Sequence, residues 1–158
     1  MDYSIRDAVA EDMDNVLGLI KELASYENEL DEVEVTSTDL IADGFGAEKR
    51  FHCFVAEAEK EVVGIALVFE RYSTWKGRVV HLEDLIVTEK MRGSGLGTAL
   101  LKAVVSYADE RQAKRVSWEV LDWNEPAIKF YESKGAKVMR DWDVVQLDAN
   151  GIKNFLDQ

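Results

Sequence analysis

The chain predicts a mixed α/β domain (α+β mixed), with a central, largely antiparallel sheet flanked by helices. Three observations predict it. Residues 51–58, 62–72 and 79–87 are β-rich runs joined by short polar turns, which reads as an antiparallel meander. Residues 11–28 and 96–108 repeat apolar side chains at helical spacing. Between the run 79–87 and the second of those helices lies a glycine-rich turn, Arg92-Gly-Ser-Gly-Leu-Gly. The 158 residues contain no internal repeat, low-complexity tract or linker, so residues 1–158 are expected to form a single domain able to bury a core without staples.

Taken in order, Tyr3-Ser-Ile-Arg-Asp alternates like a short strand, and residues 7–12 offer turn and cap chemistry before the first helix. In that helix Val16, Leu19, Ile20 and Leu23 share one face. A second helix is expected over 38–45, ending at Gly44 or Gly46. The bend Glu59-Lys-Glu makes the first two runs of the meander a hairpin, and Ser73-Thr-Trp-Lys-Gly leads to the third. After the glycine turn, Leu96, Leu100, Ala103, Val104, Tyr107 and Ala108 form one helical face. Residues 116–121 read as a strand reached by a helix crossover, hence parallel to 79–87. Asn124 is placed to cap a short helix that tolerates Pro126 in its first turn and ends at Gly135. Residues 142–147 read as a last strand and 150–156 as a terminal turn or helix.

Composition narrows the function. A net charge of −12 disfavours nucleic acid and anionic membranes as partners and suits a cationic ligand. Residues 7–43 hold twelve carboxylates against the single base Lys21, either a solvated acidic face or a means of steering a polycation. Cys53, the one cysteine, reads as a small buried residue, with no disulfide framework and no cysteine-rich metal site. His52 and His81 are isolated in strand patterns and read as structural, so no metal is expected. No apolar run approaches a membrane span and the N-terminus lacks a signal-peptide core, which makes the expected location cytoplasmic.

Glycines let backbone approach a ligand closely, and the free amides of a helix start attract phosphate. Three glycine-rich turns compete here. A P-loop needs Lys-Ser/Thr after its last glycine, whereas Thr98-Ala99 follows Gly97. A dinucleotide fingerprint needs a different third spacing and a different strand context from Gly93, Gly95 and Gly97. What remains is Arg-x-x-Gly-x-Gly on Arg92, Gly95 and Gly97. This resembles the pyrophosphate turn of the GNAT acetyltransferases, and the order of elements matches theirs over essentially the whole chain.

Further stretches sharpen the resemblance. Leu19-Ile-Lys-Glu-Leu-Ala, Asp43-Gly-Phe-Gly, His52-Cys-Phe-Val-Ala-Glu, Leu82-Glu-Asp and Leu121-Asp-Trp-Asn-Glu-Pro resemble the diamine (spermidine/spermine) N-acetyltransferase family. Tyr72-Ser-Thr-Trp-Lys-Gly-Arg and Leu121-Asp-Trp-Asn are most similar to its thialysine N-acetyltransferase branch.

The resemblance implies acetyl transfer from acetyl-CoA to a small cationic amine within a ternary complex. Glu83 takes the role of base, through water, and Tyr131 that of general acid. The cofactor contacts fall on Leu85, Ile86 and Val87, on Arg92, Gly93, Ser94, Gly95, Leu96, Gly97 and Thr98, and on Asn124, Glu125, Pro126, Ala127 and Tyr131. The amine positions fall on Tyr26, Glu27, Ser73, Trp75, Glu83, Asp84 and Glu119, where carboxylates and an aromatic face suit an alkylammonium. Polyamine-acetylating members carry aspartate at the position of Ser73, so thialysine-like or lysine-like amines are expected to outperform spermine. The segment 135–142 is shorter than in the family; Asp141 is a candidate there, but no role is carried over. A homodimer is implied. The rival readings are a protein or peptide N-acetyltransferase and a non-catalytic acyl-CoA-binding sensor.

Overall fold

Five strands pair in chain order: β1 (Tyr3–Asp7), β2 (His52–Ala58), β3 (Glu61–Ser73), β4 (Gly77–Val87) and β5 (Arg115–Ser117). The first three pairings are antiparallel, and β5 runs parallel to β4. This computed structural model describes residues 2–158. It divides into two compact units, Met1–Glu119 and Val120–Gln158.

The first unit contains the sheet and three helices, α1 (Met13–Tyr26), α2 (Ser37–Phe45) and α3 (Leu96–Glu110). A 3-10 turn, Ala10–Asp12, leads into α1, so the apolar stretch expected over 11–28 is divided between the two. Thr36 caps α2 by accepting the Asp39 amide, and the Asp39 carboxylate accepts from the Thr36 amide at 2.9 Å in return. The hairpin between β2 and β3 turns on Glu59 and Lys60, both at positive φ, which matches the twist of the flanking strands.

One face of the sheet, carrying Cys53, Val55, Ile65, Leu67 and Ile86, packs with Met13, Val16 and Leu19 of α1 and Leu40 of α2. The helix α3 buries Leu96, Leu100, Leu101, Val104 and Ala108. Burial of Cys53 pushes its thiol up to about 12, so it is protonated and unreactive at neutral pH.

The second unit contains α4 (Glu125–Ser133) and α5 (Ala149–Leu156). Asn124 Oδ1 accepts from the Ala127 amide at 3.4 Å, Pro126 lies in the first turn of α4, and Gly135 follows at φ 88°. The terminal helix is present and is capped by Asp148.

Two strand expectations are corrected. No strand forms over 142–147, where Val145 is 92% exposed and, among the described residues, no ladder partner is present. β propensity describes side chains that suit a pleated surface, but a strand also needs a neighbour to hydrogen-bond. β5 is three residues long rather than extending over 116–121, because its pairing with β4 stops at His81.

Arg6 ties the start of the fold together. Its guanidinium donates to Asp12 at 2.8 and 3.0 Å and to Glu57 of β2 at 2.7 Å, and the Val9 amide also donates to Asp12. These bonds hold the buried Asp12 carboxyl below its ordinary range, the hydrogen bond from Arg6 being the largest cause. A carboxyl lowered in this way stabilises the fold above its unfolded pKa, and that contribution disappears as pH falls through the folded value. Asp12→Asn should therefore lower unfolding free energy by about 2–3 kcal/mol at neutral pH. The deficit should shrink below about pH 4, as read from urea titrations of both proteins.

Candidate active site

The ladder between β3 and β4 loses register at one point. Leu82 pairs with Val68 and Asp84 with Leu67, so Glu83 is an extra residue on β4. In a regular strand residues 82 and 84 share a face. Here their partners are neighbours on β3, so Leu82 and Asp84 face opposite ways. Asp84 joins the side of Leu67 and Phe69, where His81 also lies, and Glu83 Oε2 stands 3.6 Å from His81 Nε2. The bulge thus turns two consecutive carboxylates toward one face.

More acid gathers around them. Burial is the main cause that pushes the Asp84 carboxyl up to about 6, and the charges of Glu83 and Glu27 add to it. Glu27, at the C-terminal end of α1, is itself raised, first by burial and then by Glu29. Glu119, just past β5, also acts on His81. Among the described residues no lysine or arginine forms an ion pair with Glu27, Asp84 or Glu119. A group of carboxylates that repel one another and lack protein cations favours an ammonium ligand.

Past the bulge, β4 changes role. Leu85, Ile86 and Val87 pair with Ala66, Ile65 and Gly64 on one side, while on the β5 side no strand among the described residues continues beyond His81. That edge offers backbone donors and acceptors to an extended ligand. The chain then passes a 3-10 turn, Glu89–Met91, held by the Glu22 carboxylate of α1, which accepts from Thr88 Oγ1 at 3.0 Å and the Glu89 amide at 2.9 Å.

Gly93 and Gly95 adopt φ of 76° and 90°, a left-handed conformation that favours glycine, and Gly95 caps α3. The first turn of α3, with Leu96, Gly97 and Thr98, contains no acidic residue. By contrast α1, α2 and α4 carry Asp14, Asp39 and Glu125 in their first turns. Leu96 is buried and anchors this helix start. Ser94 Oγ donates to the Met91 carbonyl, and Arg92 Nε donates to the Val87 carbonyl at 3.3 Å. The Arg92 guanidinium lies 5.2 Å from the ring centre of Tyr26, which joins the C-terminal end of α1 to the turn. Free amides, glycines and one arginine, with no carboxylate in the helix start, compose an anion cradle.

Two of the remaining expected residues lie away from the bulge on this strand. Ser73 and Trp75 occupy the tip of the β3–β4 hairpin, six residues along β4 from Glu83, or roughly 20 Å at the usual strand rise. There Ser73 Oγ accepts from the Trp75 and Lys76 amides at 3.2 and 3.1 Å. In the second unit, Asn124, Glu125, Pro126 and Ala127 form the capped start of α4. Tyr131 is half-buried on the same helix, its ring 5.4 Å from that of Phe130.

His81 is not the isolated histidine that its strand pattern suggests. It contacts Arg71, Ser117 and Glu83, partners 10, 36 and 2 residues away. The adjacent Glu-Asp pair, which breaks apolar alternation in a strand, is the one sequence signal that marks the irregularity beside it.

Because Asp84 binds its proton more tightly in the fold than in the unfolded chain, its contribution to stability is favourable at low pH. It is lost as pH rises toward about 6. Asp84→Asn should raise unfolding free energy by about 1–3 kcal/mol above pH ~7 and change it little near pH ~4. Denaturant curves at the two pH values measure this, and an equal effect at both would remove burial of the charge as the cause.

Known proteins place this geometry in a family. The profile of the acetyltransferase (GNAT) family matches residues 13–136. The thialysine N-epsilon-acetyltransferase of Bos taurus is 41% identical over 162 residues, covering 96% of this chain and 95% of that protein. The spermidine/spermine N(1)-acetyltransferase-like protein 1 of Homo sapiens is 41% identical over 144 residues, 86% of this chain; the match spans only 21% of that protein. An integron cassette protein from the mobile metagenome of V. cholerae shares the fold, with a TM-score of 0.81 at 23% identity over 100% of this chain and 99% of that one. The chain therefore belongs to the acetyltransferase (GNAT) family.

Proposed function

We propose that the protein transfers an acetyl group from acetyl-CoA to a primary amine of a small diamine, polyamine or thialysine-like diamino acid. The observation that carries this reading is the layout of β4: a bulge with two carboxylates, an open strand edge, and a glycine turn into a helix start without acid. A cation site and an anion cradle lie on one continuous segment.

The residues fit acetyl-CoA. Leu85, Ile86 and Val87 present the strand edge that an amide-containing arm would extend. Arg92 and the amides of residues 93–98 suit a pyrophosphate. Acetyl-CoA supplies an activated acyl thioester, and the protein supplies position and proton transfer. Glu27, Asp84 and Glu119 hold the ammonium. An alkylammonium has a pKa near ~10, so only roughly one molecule in a thousand is a neutral nucleophile at pH 7. Glu83 removes the proton through a water molecule; the freed nitrogen bonds to the acyl carbon as the carbon–sulfur bond breaks. Tyr131 returns a proton to the departing sulfur, a role that rests on the family resemblance around Lys129-Phe-Tyr-Glu.

The thialysine-type substrate is favoured by Ser73, whose hydroxyl is uncharged and already accepts two turn amides. A long polycation then lacks one anion. Both relatives above are 41% identical, so identity alone does not choose between the amines. A homodimer belongs to the same proposal. Ser73 and Trp75, so distant along β4 from the Glu83 of their own chain, would serve an amine site only from a neighbouring protomer.

Two experiments test the reading. Glu83→Gln and Tyr131→Phe should each lower kcat by about 10²–10⁴-fold while retaining CoA affinity by calorimetry; wild-type rates in both would overturn the assignment. Across a panel of thialysine, lysine, putrescine, spermidine and spermine, kcat/KM from CoA release should be highest for thialysine or lysine. Spermine turnover equal to or above theirs would exclude the preference.

A further inference from the structure

His81 lies on β4 two residues before Glu83, with its side chain 7% exposed and the Phe69 ring 5.1 Å away. Its Nδ1 is 3.2 Å from Arg71 Nη1 and 2.9 Å from Ser117 Oγ. A guanidinium has donors and no acceptor, so the nitrogen facing Arg71 must be the bare one. The ring proton then resides on Nε2, and Nε2 faces Glu83 Oε2 at 3.6 Å.

The charged groups around this ring are Arg71 of β3, Glu83 of β4 and Glu119 beyond β5. Burial first, and then Arg71, hold the imidazole below its ordinary pKa despite the two carboxylates, so it is a neutral donor at neutral pH. Glu83 needs such a partner. Its side chain is 57% exposed on a bulge, where rotamer freedom disperses the carboxylate over many positions. A base acts only within hydrogen-bond reach of the proton it takes, and contacts that are long in a free enzyme tighten in the working complex.

We propose that His81 is a positioning residue for Glu83. Arg71 and Ser117 lock the ring as its Nε2–H tautomer, and Nε2–H holds the Glu83 carboxylate toward the amine. The chain of contact runs from Arg71 on β3 and Ser117 on β5 to the one residue that neither neighbouring strand pairs. The inference rests on Glu83 being the base and adds the group that orients it.

A double-mutant cycle in steady-state kinetics, together with a spectroscopic reading of the wild-type enzyme, tests it. His81→Phe retains a ring against Phe69 and removes both nitrogens. It should lower kcat on the order of tenfold with little change in KM for acetyl-CoA. His81→Gln, whose amide N–H reaches the Nε2 position, should recover most of that loss. In the Glu83→Gln background, His81→Phe should have no further effect, because the group it orients is gone. Equal fold losses in both backgrounds would show a merely structural histidine and overturn the proposal while leaving Glu83 as base. Wild-type kcat in Glu83→Gln alone would overturn the base assignment and this inference together. Imidazole ¹⁵N spectra of the wild-type protein should show the Nε2–H tautomer at neutral pH; an Nδ1–H tautomer overturns the proposal even if the His81 variants do not fold.

Discussion

Glu83 is the residue by which β4 outnumbers β3, and the carboxylate cluster depends on that one-residue offset. With regular alternation, Asp84 would share a face with Leu82 and Val80, both fully buried. A carboxylate placed among such side chains, without a partner, would be strongly disfavoured. The bulge instead brings Asp84 to the side of His81 and Leu67, and after it Ile86 enters the core formed with α1. One offset therefore satisfies two demands, acid at the site and an apolar residue in the core two positions later. It also coincides with the end of β5 pairing, so the open edge of β4 and the carboxylates arise together.

Elements with a local cause were legible in the sequence. Asn124 with Pro126 is cap chemistry that acts within three residues, and the structure has a helix where it starts. The meander followed from short turns between β-rich runs, which leave little choice of partner. The failures share a different cause. Residues 142–147 have the composition of a strand, yet pairing is a property of two segments and no periodicity reports the second. The bulge and the contacts of His81 likewise depend on β3 and β5 residues far away in sequence. Glu83 and Asp84 were expected at the site through resemblance, but the reason that neighbours in a strand can share a face lies only in the register.

The site places opposite electrostatic demands on a chain of net charge −12. In the proposed reaction an ammonium needs uncompensated carboxylates; Glu27, Glu83, Asp84 and Glu119 would supply them at a cost in stability, since burial already pushes the Asp84 carboxyl up to about 6. A phosphate needs the reverse. With 31 acidic residues, the chain still leaves the first turn of α3 without one, and Gly95 rather than a carboxylate caps it. Four residues of β4 separate Glu83 from Val87, roughly 13 Å of strand. In the proposed reaction β4 thus carries the carboxylates at its bulge and leads past Val87 into the turn that would receive the phosphate, while Arg92, against Tyr26 beside Glu27, links the two.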